Sequence, residues 1–395
     1  MILKNARIYG EEKVDIQIQD GKIIHIDSFI SDKSDLVIDL EEKTLLPSFI
    51  DLNVNLLDND FELDSLVALE KQCLSGGVST IVLRDSLDVN TQGYKLYFDK
   101  LKTLKINIIP TIKVLDKENK MKDISILLDS GAKGLEIQSN IESNFLRQSM
   151  QYAKMKDSLV FIKCFDEKFD DHGVMNDGKM SFELGLIGIS DIAESSEVAK
   201  MKEISEFYDV NVNFDALSLA RSFDLLQDKN SEISIHHLLK NDNACDNFNT
   251  SAKILPPLKD QKTQTKLKEY FLDYKIKFLT SLHSPISISK KNLAFDEAKF
   301  GVDAIDMYVS LCFTYFVQNN LLSWKKLCDF TSYNQAKFLG LNKGKIAIGY
   351  DADFIIFDEK YKKIIDNEYS LYHNEEICGI VTHSVINGEI VKLNN

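Results

Sequence analysis

The chain has 395 residues, 44% hydrophobic and 27% charged, an ordinary globular balance that excludes a disordered chain. Forty-seven basic against 61 acidic residues give a net charge of −14 at neutral pH, which argues against non-specific nucleic-acid binding as the main role. Five prolines and 17 glycines leave little room for long flexible linkers, and the length fits about two or three domains or one large barrel with additions.

Residues 1–7 lack the apolar core of a signal peptide, and no apolar run reaches the roughly 18 residues of a membrane helix. A cytoplasmic protein without a membrane span is expected. The first 40 residues read as short strands at 2–9, 15–19 and 22–26, with Asp20-Gly21 as a hairpin turn. Next, 45–52 is an apolar run suited to a strand buried on both faces. Leu63, Leu66, Val67, Cys73 and Leu74 share a helical face that Gly76-Gly77 ends. Strands follow at 78–83, 106–114, 135–138, 159–162, 210–214, 233–235 and 276–280. Helical stretches alternate with them at 93–104, 121–130, 141–155, 191–208, 217–227, 263–272 and 302–318. Asp191 and Glu194 read as a capping box for the helix at 191–208.

Eight strand–helix units in sequence predict an α/β fold, a (β/α)8 TIM barrel. An open doubly wound sheet would need a phosphate-binding glycine loop, and none follows any strand. The last 40 residues return to strands at 353–357, 377–386 and 389–393, the last two joined by Asn387-Gly388. Both ends are therefore expected to build one composite β-sandwich domain from 1–46 and 345–395, with the barrel at 47–344. Three long connections, 164–190, 239–261 and 281–301, all follow strands. They fall on the face where barrel proteins keep their sites.

Cys73, Cys164, Cys245, Cys312, Cys328 and Cys378 are too widely and irregularly spaced for a metal or redox pair and are expected as reduced buried thiols. Among seven histidines, His236, His237 and His283 fall at strand ends on the functional face. Two readings stand for them: a rebuilt metal site, or inherited packing and hydrogen bonding. His25 and His383 fall in the β domain, and His172 and His373 receive no role.

Six motifs in order carry a family resemblance. Pro47-Ser48-Phe49-Ile50-Asp51-Leu52 leads out of the first domain. Gly173-Val174-Met175-Asn176-Asp177-Gly178 is followed by Leu184-Gly185-Leu186-Ile187-Gly188-Ile189. Then come His236-His237-Leu238-Leu239, Lys253-Ile254-Leu255-Pro256-Pro257-Leu258-Lys259 and His283-Ser284-Pro285. Lys343-Gly344-Lys345-Ile346 with Gly349-Tyr350-Asp351-Ala352-Asp353 closes the series. Over nearly its whole length the chain resembles the dihydroorotases, metal-dependent cyclic amidases of the amidohydrolase superfamily.

The resemblance implies a zinc site, yet this chain departs from the family at the implied positions. The H-x-H after the first strand is Asn53 and Asn55, and the substrate arginine two places on is Leu57. The substrate asparagine is Asp85, and the metal-linked residue after the fourth strand falls near Gln138. The histidine after the fifth strand is Lys163. The H-x-x-H after the sixth begins at Asn213 and ends at Ala216. The catalytic aspartate is Leu282, and the histidine closing that motif is Ile286. Asparagine offers zinc a poor amide oxygen, and leucine cannot move a proton. The resemblance therefore implies a degenerate, non-catalytic homologue of pyrimidine biosynthesis, with no metal and no cofactor. Lys163 is expected to point at the former metal position and to pair there with Asp85, Glu136 or Asp215. Lys163, Arg84, His236, His237 and His283 are the pocket candidates.

Three functions follow. The first is a structural, oligomeric partner of aspartate carbamoyltransferase, an assembly the resemblance implies. The second is an active dihydroorotase or amidohydrolase with an atypical site. The third is a sensor that binds a metabolite without turning it over.

Overall fold

The computed structural model describes residues 1–31, 34, 36–170 and 172–393. Eight parallel strands form the barrel: β1 (Phe49–Val54), β2 (Val78–Leu83), β3 (Asn107–Lys113), β4 (Gly134–Gln138), β5 (Leu159–Lys163), β6 (Val212–Phe214), β7 (Asn230–Ser234) and β8 (Phe278–Thr280). They neighbour one another in chain order, as strand–helix–strand connections require. Side chains and one isolated parallel bridge, Val54 with His283, rather than a continuous ladder close β8 onto β1. The Thr280 hydroxyl and the Ser281 amide donate to the Asp51 carboxylate, and the Asn55 amide donates to the His283 carbonyl at 2.8 Å.

Inside the barrel, Ile50, Leu52, Val82, Phe161 and Phe278 form one apolar layer, sealed from the N-terminal end by Phe338. Phe338 meets Phe161 edge-on at 5.8 Å. It lies on the helix Asn334–Leu339, which was not expected as an element. The strands are short, so this one layer fills the barrel below its mouth and leaves the upper, C-terminal ends for polar groups.

The two chain ends build a single hydrogen-bonded sheet. Its order is Glu389–Lys392, Glu376–Ile386, Phe354–Ile364, Thr44–Pro47, Ile2–Ile8, Lys13–Gln19, Lys22–Asp27, with Val37–Asp39 beside Ile2–Ile8. One face holds Leu3, Ile16, Ile18, Leu45, Phe354 and Val385. The other presents Ile355, Phe357 and Val381 to the barrel core, where Trp324 stacks on Phe313 at 5.5 Å. The chain crosses between the units at Ser48, since Pro47 still pairs with Phe354 and Phe49 already pairs with Val78. Lys343 and Asp353, from the last motif of the series, form a buried ion pair at this joint. Both hairpin turns form where expected, with Asn387 and Gly388 at φ +51° and +81°, a left-handed pair that asparagine and glycine tolerate best.

Three expectations shift. The helix expected at 302–318 begins only at Ile305–Met307 and passes through a π turn at Phe313–Val317. The capping box is not made: Asp191 forms no cap bond and pairs with Lys259 at 2.8 Å, while Glu194 turns to Ser218. The loop at 164–190 carries the helix Lys179–Leu184 and a two-residue parallel pair, Met175–Asn176 with Gly188–Ile189. No helix among the described residues is long and apolar enough to cross a membrane, and all six cysteines are buried and unpaired.

Candidate functional site

At the C-terminal ends of the strands the barrel opens into a cavity of about 410 Å³, within the size range of small-molecule sites. Its wall includes Asn53 and Asn55 from the end of β1, Arg84 after β2, Lys113 at the end of β3, Glu136 and Gln138 on β4, Lys163 at the end of β5, and Asp215 after β6. Successive residues of a strand face opposite ways, so Glu136 with Gln138, and Phe161 with Lys163, share the inward face. The roof comes from 254–257 and 300–302 in two of the long connections, and Leu282 lines the opening.

Arg84 forms the floor. Its guanidinium lies over the Phe161 ring at 4.6 Å, donates to Asp215 Oδ1 at 2.8 Å and comes within 3.9 Å of Glu232 Oε1. The residue is 4% exposed. Burial works against its charge, but Asp215, Glu136 and Glu232 outweigh it, and its pKa is raised. Two asparagines at positions of the family's histidines turn toward the same carboxyl. Asn53 Nδ2 donates to Glu232 Oε2 at 3.3 Å, and Asn213 Nδ2 donates to Glu232 Oε1. Glu232 sits in β7 with no exposure. Burial first, then Asp215, pushes its pKa up to about 8, against Arg84. Burial likewise raises Asp215 against Arg84, and Glu136 against Arg84. The charge centre of the mouth is therefore one guanidinium shared among three carboxyls whose pKa values burial raises.

Lys163 lines the cavity, as expected, but without the expected partner. Its ammonium forms no ion pair or hydrogen bond with a described residue, and Arg84, reaching from β2, holds Asp215. Asp85 is also unavailable. It is buried beneath the mouth and accepts from Tyr94, from the amides of Leu87 and Lys113, and from Lys122 at 3.0 Å. Glu136 is engaged by the Asp85 amide and the Thr111 hydroxyl.

The three histidines, by contrast, do not line the cavity. His236 Nδ1 contacts the Tyr372 hydroxyl at 2.8 Å and its Nε2 the Ser281 carbonyl at 2.9 Å. His237 Nδ1 contacts Ser234 Oγ at 2.7 Å, and its Nε2 reaches the carbonyls of Pro256 and Pro257 from behind the roof. His283 is buried, its carbonyl ties β1, and its ring lies 3.4 Å from Asp303. Burial lowers the pKa of His236 to about 3 and of His237 and His283 to about 4. Burial thus favours the neutral form of all three rings, and neither ring nitrogen of His283 has a hydrogen-bond partner among the described residues. Of the remaining positions, Asn53, Asn55, Gln138, Ala216 and Leu282 line the cavity, whereas Leu57, Asp85 and Ile286 do not. Leu57 lies 43% exposed on an outer turn.

Glu232, Lys113 and Glu194 were missed by the sequence reading. A signal existed for Glu232: a lone carboxylate within the buried strand Asn230–Ser234 needs a partner. Glu194 sits on a helix with an exposed outer face, and nothing local reveals that it accepts from Ser218 and Ser222. No group of three or more His, Cys, Asp or Glu among the described residues converges to hold a metal ion.

The barrel, its polar mouth and the sheet built from both termini define an amidohydrolase-type protein, and residues 268–391 match the amidohydrolase family. The fold superposes on L-hydantoinase (dihydropyrimidinase) from Arthrobacter aurescens with a TM-score of 0.83 at 18% identity, covering 99% of this chain and 95% of that one. It superposes on D-hydantoinase from a Thermus species with a TM-score of 0.81 at 20% identity, covering 100% and 96%. A dihydroorotase of Ruminiclostridium cellulolyticum is 30% identical over 97% of this chain and 95% of its own length. A Helicobacter pylori J99 protein described as a "probable dihydroorotase-like protein" is 28% identical over 98% and 97%. The chain belongs to the dihydroorotase family.

Proposed function

We propose that this protein is a non-catalytic dihydroorotase homologue that serves pyrimidine biosynthesis in the cytoplasm as a structural partner of aspartate carbamoyltransferase. The observation that carries the reading is the Arg84 guanidinium, held between Asp215 and Glu232 and flanked by Asn53 and Asn213. The residues present do not fit zinc. The groups around the mouth are amides and carboxyls already engaged, Asp215 by Arg84, Glu232 by Asn53 and Asn213, and Glu136 by Thr111 and the Asp85 amide, and a dication beside the guanidinium would meet direct repulsion. Hydrolysis of a cyclic amide needs a polarised or ionised water and a group to carry its proton. Leu282, at the position the family uses for that proton, supplies neither.

A scaffold role is supported by the surface around the mouth. Phe182 is 87% exposed, and Phe169, Ile187 and Phe248 are exposed on the same long connections. The helix bearing Phe182 packs on the turn bearing Phe248. Apolar side chains gathered in this way are typical of a binding face. The expected result is co-elution. Mixed at micromolar concentration, this chain and aspartate carbamoyltransferase run as one species on size exclusion, and Phe182→Asp weakens the association. Separate elution of the two wild-type proteins would refute the partnership.

A further inference from the structure

Two of the long connections roof the mouth, and two buried lysines cross between them. Lys253 directly precedes the roof segment 254–257, and its Nζ donates to the carbonyls of Phe295 and Asp296, in the other connection, at 2.6 and 3.0 Å. Lys291 lies on that other connection and donates back, to the carbonyls of Thr250 and Lys253 at 2.9 and 3.0 Å. The Gly301 amide adds a further link to the Lys253 carbonyl at 3.0 Å. Each connection thus supplies one amine and the carbonyls that the other amine needs. The segments 254–257 and 300–302 that these ties hold over the cavity lie in no helix or strand.

Both side chains are almost wholly buried, Lys253 at 2% and Lys291 at 5% exposure. Their hydrogen-bond acceptors among the described residues are these four carbonyls, with no carboxylate. An ammonium carries three N–H donors and a neutral amine two. Two carbonyls therefore complete a neutral amine, whereas an ammonium keeps one donor and its charge without a counter-ion. The Phe295 and Phe300 rings, 5.4 and 4.9 Å from the Lys253 nitrogen, offset part of that charge. Few other groups bear on the pair. Asp296 favours the Lys253 charge and Lys299 opposes it, while Lys253 opposes the Lys291 charge and Cys245 favours it. Burial pushes Cys245 itself up to about 12, so it stays a thiol near neutrality. Burial is the largest influence on both lysines and holds each at about 8, against 10.5 in solvent.

We propose that Lys253 and Lys291 form a crossed, proton-linked latch: the two roof connections open over the mouth as one lid, and opening takes up protons at these two amines. The sign follows from linkage. In the closed roof the amines lose their protons near pH 8, and in the open roof only near 10.5. Below 8 both states are charged and the balance is constant, and between the two values rising pH favours the closed roof. The latch does not depend on the partner proposed above.

Hydrogen–deuterium exchange of the full chain at pH 7 and pH 9, read by mass spectrometry and divided by the intrinsic rate at each pH, tests the latch. Corrected exchange in both roof connections is expected to slow by about tenfold for each titrating amine. The helix Ile192–Phe207 serves as reference and should show no such effect. Lys253→Met and Lys291→Met each remove one titrating amine, so each should reduce the pH effect in both connections, and the double variant should abolish it. The double variant also controls for a change of exchange regime at high pH, and the wild-type measurement stands by itself if a variant does not fold. The proposal is overturned if corrected roof exchange is the same at both pH values, or if the reference helix shows the same change. It is equally overturned if the double variant keeps the wild-type pH effect, or if each single variant alters only the connection that carries it.

Discussion

Replacing Arg84 with methionine is expected to lower stability by about 3–5 kcal/mol, the usual cost of removing one partner from a buried ion pair. Methionine keeps much of the packing on Phe161 but takes the guanidinium from Asp215, Glu136 and Glu232, leaving only the more distant charges of Lys163 near Asp215 and Lys113 near Glu136. In wild type the repulsion among the three is absorbed by one guanidinium and by the raised pKa values of the carboxyls. Adding Asp215→Asn and Glu232→Gln to the methionine variant removes the orphaned charges and should restore much of the loss, since a buried ion pair and a neutral replacement are often close in energy. Urea denaturation midpoints of the wild type, single and triple variants measure this. A single variant within about 1 kcal/mol of wild type, the value of an exposed pair, would mean that the guanidinium is not the counter-ion of the mouth.

Glu232→Gln is expected to flatten the pH dependence of stability above neutrality. Burial raises the folded pKa of Glu232 from 4.5 to about 8. Its contribution is therefore complete below 4.5 and is lost as pH rises through 8. Between those values the folded state keeps a proton that the unfolded state has released, at about 1.4 kcal/mol per pH unit. The buried histidines act oppositely. His236, His237 and His283 are depressed by burial from 6.5 to about 3–4, so their contribution is present above 6.5 and falls away in acid. In the window from 6.5 to 8 the histidine contribution is constant, and subtracting the Glu232→Gln curve removes other groups such as Lys253 and Lys291, whose pKa burial lowers to about 8. Across this window wild type should lose about 2 kcal/mol more than Glu232→Gln. Asn213 Oδ1 has no partner, so this amide can turn to accept from the new Gln amide. Parallel pH–stability curves for the two proteins would show that Glu232 is ionised in the folded state.

The frame of the fold was legible because its signals are local. Asn387-Gly388 and Asp20-Gly21 mark hairpins by their own backbone preferences, and the apolar runs of the barrel strands report burial on both faces. The short strands β6 and β8 were placed within two residues of their observed ends, whereas β7 begins three residues earlier than expected. The helix Lys179–Leu184 was missed because it is short and has no apolar stripe, with Phe182 turned outward. In the site, the sequence alone marks Asn53, Asn55 and Leu282 as chemically unlike the family pattern. It does not tell which cation meets Asp215. Lys163 and Arg84 both approach the mouth, from β5 and β2, and the choice depends on reach across the barrel and on stacking over Phe161. For the histidines the sequence left a metal site and hydrogen-bonded packing both open: a motif at a strand end reads as functional, while Tyr372, which contacts His236, lies 136 residues away.

In the proposed function, Arg84 and its carboxyls take the place of a metal site. Elemental analysis of protein purified without chelators, paired with a dihydroorotate turnover assay, tests it most directly. Zinc well below about 0.1 per chain and no turnover, with or without added zinc, are expected. About one zinc or more per chain, with dihydroorotate turnover that is lost on chelation and restored by zinc, would contradict it.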